Sequence, residues 1–233
     1  PAPVEKPGQA NILIVNTCGF IQPAREESLQ ELRTLAKRKK PGQILIAAGC
    51  LAERHREQLA REVPGLDGIL STRRWMDVLN MVQHLRSEGP PQQPYDLPEA
   101  PDVGREDHGV LRSALQGSSA YLKIADGCRR PCAFCSIPLI KGPAVSRRPE
   151  QIIAEAQTLA DMGAQELILI AQDTTDYGSD LGLKDGLAAL LEELTRAVPG
   201  VPWIRVLYAY PGYVTDRLIE VMAGHPQILP YLD

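Results

Sequence analysis

Tyr121-Leu-Lys-Ile-Ala-Asp-Gly-Cys128-Arg-Arg-Pro-Cys132-Ala-Phe-Cys135 joins a short apolar run to three cysteines set within eight residues. The run Tyr121–Ala125 reads as a strand, so the thiols stand on the loop that follows it. In βα architectures that end of a strand is where sites gather. Three thiolates on so short a loop can converge on one metal centre. A cluster of four irons held by three cysteines keeps one iron without a protein ligand, open to a small chelating molecule. Two other readings compete. A zinc site of three Cys and one His usually spaces its pairs C-x2-4-C with a second pair further on. No second pair follows here, and His108 and His225 stand far off in sequence. A disulfide framework suits an even cysteine count and a secretory segment; this chain has 5 cysteines and no such segment. The spacing favours iron–sulfur.

Working outward, the second half repeats strand and helix. Strands are expected at Tyr121–Ala125, Glu166–Ala171 and Trp203–Tyr208, with helices near Pro149–Met162, Lys184–Val198 and Val214–Ala223. Gly163 is placed to end the first helix. The pattern fits an incomplete (β/α) barrel over residues 120–233. The cysteine loop, Gln172–Gly178 and Tyr208–Pro211 all follow strands directly, so all three are expected to face one site. A fourth strand would begin near Pro230, which reads as a fragment of a longer protein. Residues 1–86 read as a separate doubly wound parallel α/β domain. Its strands are Ala10–Asn16, Gln43–Ala48 and Leu66–Leu70, and its helices Pro23–Lys40, Glu53–Glu62 and Trp75–Leu85. Between the two, residues 87–119 include a stretch with five prolines and little periodicity, expected to be an extended linker.

Composition excludes several classes. The chain has 233 residues, 44% of them hydrophobic, enough for two packed cores. No apolar run approaches the roughly 18 residues that cross a membrane. Thiols without an export signal suit a reducing cytoplasm. A net charge of −4 argues against a nucleic-acid substrate, which calls for a basic face. The one basic cluster, Lys37-Arg-Lys-Lys40, reads as a solvated helix end, where cations suit the helix dipole.

Cys18 and Cys50 form a second set. Each lies just past a predicted strand, at the edge where ligands of open α/β sheets collect. Two buried, unrelated thiols are an equally good reading of the residues alone.

The loop Cys128–Cys135, with aromatic Phe134 before its last cysteine, resembles the radical S-adenosylmethionine superfamily motif. Asn16-Thr-Cys-Gly-Phe-Ile21, Gly49-Cys-Leu51, Tyr121-Leu-Lys-Ile124 with Gly127-Cys128, and Ser136-Ile-Pro138 resemble the methylthiotransferase family over almost the whole chain. The resemblance implies a 4Fe–4S cluster on Cys128, Cys132 and Cys135 whose open iron binds S-adenosylmethionine, with Phe134 near the adenine. It also implies an auxiliary 4Fe–4S cluster on Cys18, Cys50 and a further cysteine upstream of Pro1. Gln172, Asp173 and Tyr208 are expected near the cofactor pocket, although Asp173 capping its own loop explains that residue equally well. Asn16–Ile21 and Gln172-Asp-Thr-Thr-Asp-Tyr-Gly178 look like the branch that methylthiolates the β-carbon of an aspartate in protein twelve of the small ribosomal subunit. The alternatives are the tRNA-adenosine branch and, from another class, an iron–sulfur electron carrier. A flavodoxin or ferredoxin is the implied electron donor. Lys141-Gly142 departs from the Arg-Gly common in the family, which weakens any bidentate contact to a carboxylate.

Overall fold

The computed structural model describes residues 2–89, 91–96 and 114–233. The chain divides into two compact units, Pro1–Gly104 with Cys132–Lys141, and Arg105–Pro131 with Gly142–Asp233. Residues 90 and 97–113 of the proline-rich segment lie outside the described residues.

The first unit is a parallel sheet of β1 (Ile12–Thr17), β2 (Ile44–Gly49), β3 (Gly68–Ser71) and β4 (Tyr95–Asp96), in that order. Between them run α1 (Gln22–Arg38), α2 (Cys50–Arg54), α3 (Arg56–Glu62) and α4 (Val78–Glu88). Every residue of β2 is buried, as a strand covered on both faces must be. Leu45 and Ala47 pack with Leu29 and Leu32 of α1 and Leu59 of α3, while Ile44, Ile46 and Ala48 pack with Met81, Val82 and Leu85 of α4. Side chains alternate across a strand, so this split means helices on opposite faces. Each fully buried Leu or Ile contributes about 1.5–3 kcal/mol.

Three expectations change. The single helix over Glu53–Glu62 is two, because His55 leaves the helical region at φ −134°, ψ 40°. The helix expected from Trp75 starts as a 3-10 segment, Thr72–Asp77, kinked at Arg74, and becomes α-helical at Val78. Tyr95–Asp96, read as linker, pairs with β3 as a short strand, and the Tyr95 ring stacks on His84 at 3.9 Å. The basic run is also more than a solvated end. Lys39 Nζ bonds Asp67 at 2.7 Å and the Gly65 carbonyl, and Lys40 Nζ bonds the Gly8 carbonyl.

The second unit is built on β5 (Ser119–Lys123), after which the chain breaks and restarts as β6 (Ala125–Asp126). The short α5 (Ile137–Lys141) belongs to the first unit. β7 (Val145–Ser146) pairs antiparallel with β6. Then follow α6 (Pro149–Asp161), β8 (Glu166–Ile170), α7 (Gly186–Ala197), β9 (Trp203–Val206) and α8 (Asp216–Gly224). β5, β8 and β9 form one parallel sheet in that order. Leu122, Leu167, Leu169, Ile204 and Val206 meet Ile152 and Leu159 of α6, Leu191 and Leu194 of α7, and Leu218 of α8 in one core. Gly163 ends the α6 region with φ +97°, as expected. The Thr215 hydroxyl caps α8 by accepting from the Leu218 N–H at 3.2 Å.

Candidate functional site

In the second unit the segment Gly127–Arg130 after β6 is tied to the loop after β8, and that loop to the one after β9. After β6, Gly127 takes φ +80°, and an added Cβ would overlap the Pro143 carbonyl oxygen, so no other residue fits. Cys128 follows with its N–H on the Gly142 carbonyl at 3.1 Å and only 8% of its surface exposed. The Arg130 N–H points at the Cys128 sulfur, 3.4 Å away.

The loop after β8 supplies the partners of both arginines. Arg129 makes a two-pronged contact with Asp176, Nε to Oδ2 at 3.0 Å and Nη2 to Oδ1 at 2.6 Å. Arg130 Nε bonds Asp173 Oδ2 at 2.5 Å, and its guanidinium lies over the Tyr213 ring at 3.5 Å. Burial opposes the charge of Arg130, yet the bond to Asp173 and the charges of Asp173 and Asp176 raise its pKa. The bond to Asp176 likewise raises that of Arg129. Asp173 also accepts from the Thr175 N–H at 3.0 Å, so it caps its own turn as well as holding Arg130. Thr174 closes the third side, its N–H on the Tyr208 carbonyl and its hydroxyl on the Leu207 carbonyl, each at 3.0 Å. Beside these groups lies a cavity of about 390 Å³ lined in part by Arg129, Arg130, Asp176, Tyr213, Thr215 and Leu218.

Two expected pocket residues carry marks of their own. Gln172 Oε1 is buried and has no hydrogen-bond partner among the described residues. Tyr208 stands at φ +62°, a region that side chains other than glycine rarely adopt, with its own side chain half exposed.

In the first unit β1 and β2 run in register, Thr17 opposite Gly49, which sets Cys18 and Cys50 one residue beyond each strand. Gly49 has φ +105°, and an added Cβ would lie 2.7 Å from Asn16 Oδ1. A Cβ on Gly19 would lie 2.9 Å from the Cys50 carbonyl carbon, so the Cys18 loop passes directly against the start of α2. The Cys18 N–H is held by the Ser28 hydroxyl at 3.1 Å. Cys132 and Cys135 belong to this unit, joined by the Cys135 N–H on the Cys132 carbonyl at 3.1 Å. α5, just beyond them, is held by Arg73, whose Nε bonds the Ile140 carbonyl at 2.9 Å and lies 3.4 Å from Glu53. Phe134 is 85% exposed.

None of the five cysteines is in a disulfide. Among the described residues no three His, Cys, Asp or Glu side chains are gathered around a common point. Donor chemistry is what fits an iron–sulfur cluster: three thiols outside any disulfide on one short loop, and an N–H aimed at the first of them. The orphaned Gln172 oxygen likewise suits a ligand that brings an N–H donor. Sequence reasoning did not single out Arg129, Arg130, Asp176 or Tyr213. The signal was two adjacent arginines inside the cysteine loop and three carboxylates between Asp173 and Asp180 on the next strand-end loop.

A cysteine-bearing loop at the end of a parallel β/α sheet defines a class, and residues 122–233 match the radical SAM superfamily. Residues 2–71 match the uncharacterized protein family UPF0004. The chain carries both regions in this order, and its curated relatives are methylthiotransferases. It is 47% identical to the ribosomal protein uS12 methylthiotransferase RimO of Roseiflexus sp. (strain RS-1), over 99% of this chain and 52% of that protein. The RimO of Chloroflexus aurantiacus is 45% identical over 97% of this chain and 52% of its own length. The chain thus spans about half the length of these curated relatives. Among solved structures, the radical S-adenosylmethionine methyltransferase TsrM from Kitasatospora setae, with cobalamin and a [4Fe-4S] cluster bound, shares the fold. Its TM-score is 0.58 at 15% identity, covering 93% of this chain and 46% of TsrM. Superfamily membership implies a 4Fe–4S cluster and S-adenosylmethionine. Among the described residues no helix is long and apolar enough to cross a membrane.

Proposed function

We propose that this chain is the catalytic part of a methylthiotransferase that modifies the β-carbon of an aspartate in ribosomal protein uS12. The observation that carries the reading is 47% identity over 99% of the chain to a protein of that name, with both cysteine sets in order. In this reading residues 1–86 are the N-terminal domain, 87–119 the linker and 120–233 the radical domain. Cys128, Cys132 and Cys135 hold one 4Fe–4S cluster; Cys18 and Cys50 contribute to an auxiliary one. When bound, the cluster and S-adenosylmethionine supply a carbon radical able to take hydrogen from an unactivated C–H bond. The chain's own residues bind and orient. Gln172 offers its buried oxygen to a donor on the cofactor, and Phe134 and Tyr208 present exposed rings for stacking. The net charge of −4 favours approach of a basic protein. A small electron carrier of the flavodoxin or ferredoxin kind is the reductant.

The test is turnover by the full-length protein on a uS12 peptide and on tRNA, read by mass spectrometry. A methylthio gain on the peptide aspartate is expected. A gain on tRNA alone overturns the substrate. Iron in the anaerobically reconstituted chain, lost when Cys128, Cys132 and Cys135 are changed to Ala, tests the cluster; stoichiometric zinc without iron overturns it.

A further inference from the structure

We infer that Arg130 is a positioning residue for the Cys128 sulfur, held in that task by Asp173 and Tyr213. Its backbone N–H is the group aimed at the sulfur, at 3.4 Å, so anything that fixes the Arg130 side chain fixes that N–H. The side chain is clamped on two sides. Asp173, buried, takes the Nε hydrogen at 2.5 Å, and the Tyr213 ring covers the guanidinium face at 3.5 Å. Tyr210 lies 5.0 Å away on the same cation. Asp173 is in turn immobilised by the Thr175 N–H, so the anchor is not a mobile surface carboxylate. The neighbouring Arg129–Asp176 pair fastens the preceding residue, giving the segment between Cys128 and Pro131 two successive attachments to one turn. Asp173 therefore acts through Arg130 on the thiol. A planar guanidinium that bonds along its edge while stacking on its face is a task lysine cannot perform.

As it concerns a cluster ligand, the inference rests on the reading above, but part of its test does not. In the metal-free chain, Cys128 is 8% exposed and should be alkylated slowly, as mapped by peptide mass spectrometry. Arg130→Ala, Asp173→Asn and Tyr213→Leu should each speed its alkylation about tenfold, the lower end of what loss of an outer-shell partner costs a site. Asp173→Asn keeps an acceptor for the Thr175 N–H, so the turn survives if Arg130→Ala proves too disruptive. Arg130→Lys should fall short of wild type, and Arg217→Ala, in an exposed pair with Glu192, should change nothing. In the reconstituted chain the same variants should lose iron to a chelator about tenfold faster. Their clusters should also reduce at a more negative potential, because an N–H bonded to a ligand sulfur eases reduction. Wild-type alkylation rates in all three variants overturn the inference. If the wild-type chain takes up no iron, the cluster reading fails while the alkylation rates still decide the role of Arg130.

Discussion

Glu155→Ala is expected to be among the most destabilising single changes in the second unit. Arg147 Nη1 lies 2.6 Å from Glu155 Oε2, with the two side chains 7% and 6% exposed. The same nitrogen bonds the Lys123 carbonyl at 2.8 Å, and the Arg147 carbonyl accepts the Tyr177 hydroxyl at 3.0 Å. The Arg147 guanidinium cannot leave without breaking its bond to the Lys123 carbonyl, so removing Glu155 leaves a buried cation without its carboxylate. Breaking a buried pair in this way costs about 3–5 kcal/mol, against about 0–1 for an exposed pair. For a unit of this size that lowers the thermal midpoint on the order of 10 °C. Replacing both partners, Arg147→Met with Glu155→Leu, should recover most of the loss because no charge is left behind. Urea unfolding followed by circular dichroism reads all three proteins. A loss below about 1 kcal/mol in Glu155→Ala would refute the reasoning, since it is the size expected of a solvated pair.

Gly127→Ala should destabilise the second unit by about 1–3 kcal/mol, measured by urea unfolding, because φ +80° and the Pro143 carbonyl both reject a side chain. Tyr177 has its pKa raised above the usual 10.0, chiefly by burial and then by Glu150 and Glu193. The folded state thus holds the proton more tightly than the unfolded chain. The resulting stability is present below the unfolded value and is lost as pH climbs past it. Thermal melts should show a steeper alkaline loss in wild type than in Tyr177→Phe, which gives up about 1 kcal/mol at neutral pH with its bond to the Arg147 carbonyl. Thr215→Ala should cost about 1 kcal/mol by removing the cap of α8, read as a lowered unfolding midpoint. Changing Cys18 and Cys50 to Ala in the full-length protein should remove about half its iron, as expected of one cluster out of two.

The strands were legible wherever the residues form an unbroken apolar run, as in β2, buried on both faces, and in Leu167–Ile170 of β8, and the helices wherever leucines recurred at helical spacing, as in α7. What escaped depended on partners far along the chain. β6 and β7 are two residues each, too short to carry any period, and exist only because Ala125 and Asp126 meet Val145 and Ser146. Tyr95–Asp96 sits among prolines and is a strand only because β3 has a free side. His55 breaks its helix without any proline or glycine to announce it. At the site, the cysteines and the loop after β8 could be named because thiols at that spacing have few other uses. The Arg129–Asp176 and Arg130–Asp173 pairs could not, since each arginine had several carboxylates to choose from and only the packing of the strand ends selects one.

Tyr208 places a side chain where the backbone alone would choose glycine or asparagine. Left-handed geometry costs roughly 1–2 kcal/mol in a residue of this kind. Selection for heat resistance alone would therefore be expected to replace it, and Tyr208→Gly should raise the unfolding midpoint. Selection for turnover would work against that replacement if the exposed ring serves the cofactor pocket. A library sorted first by temperature and then by product would record that conflict at this one codon.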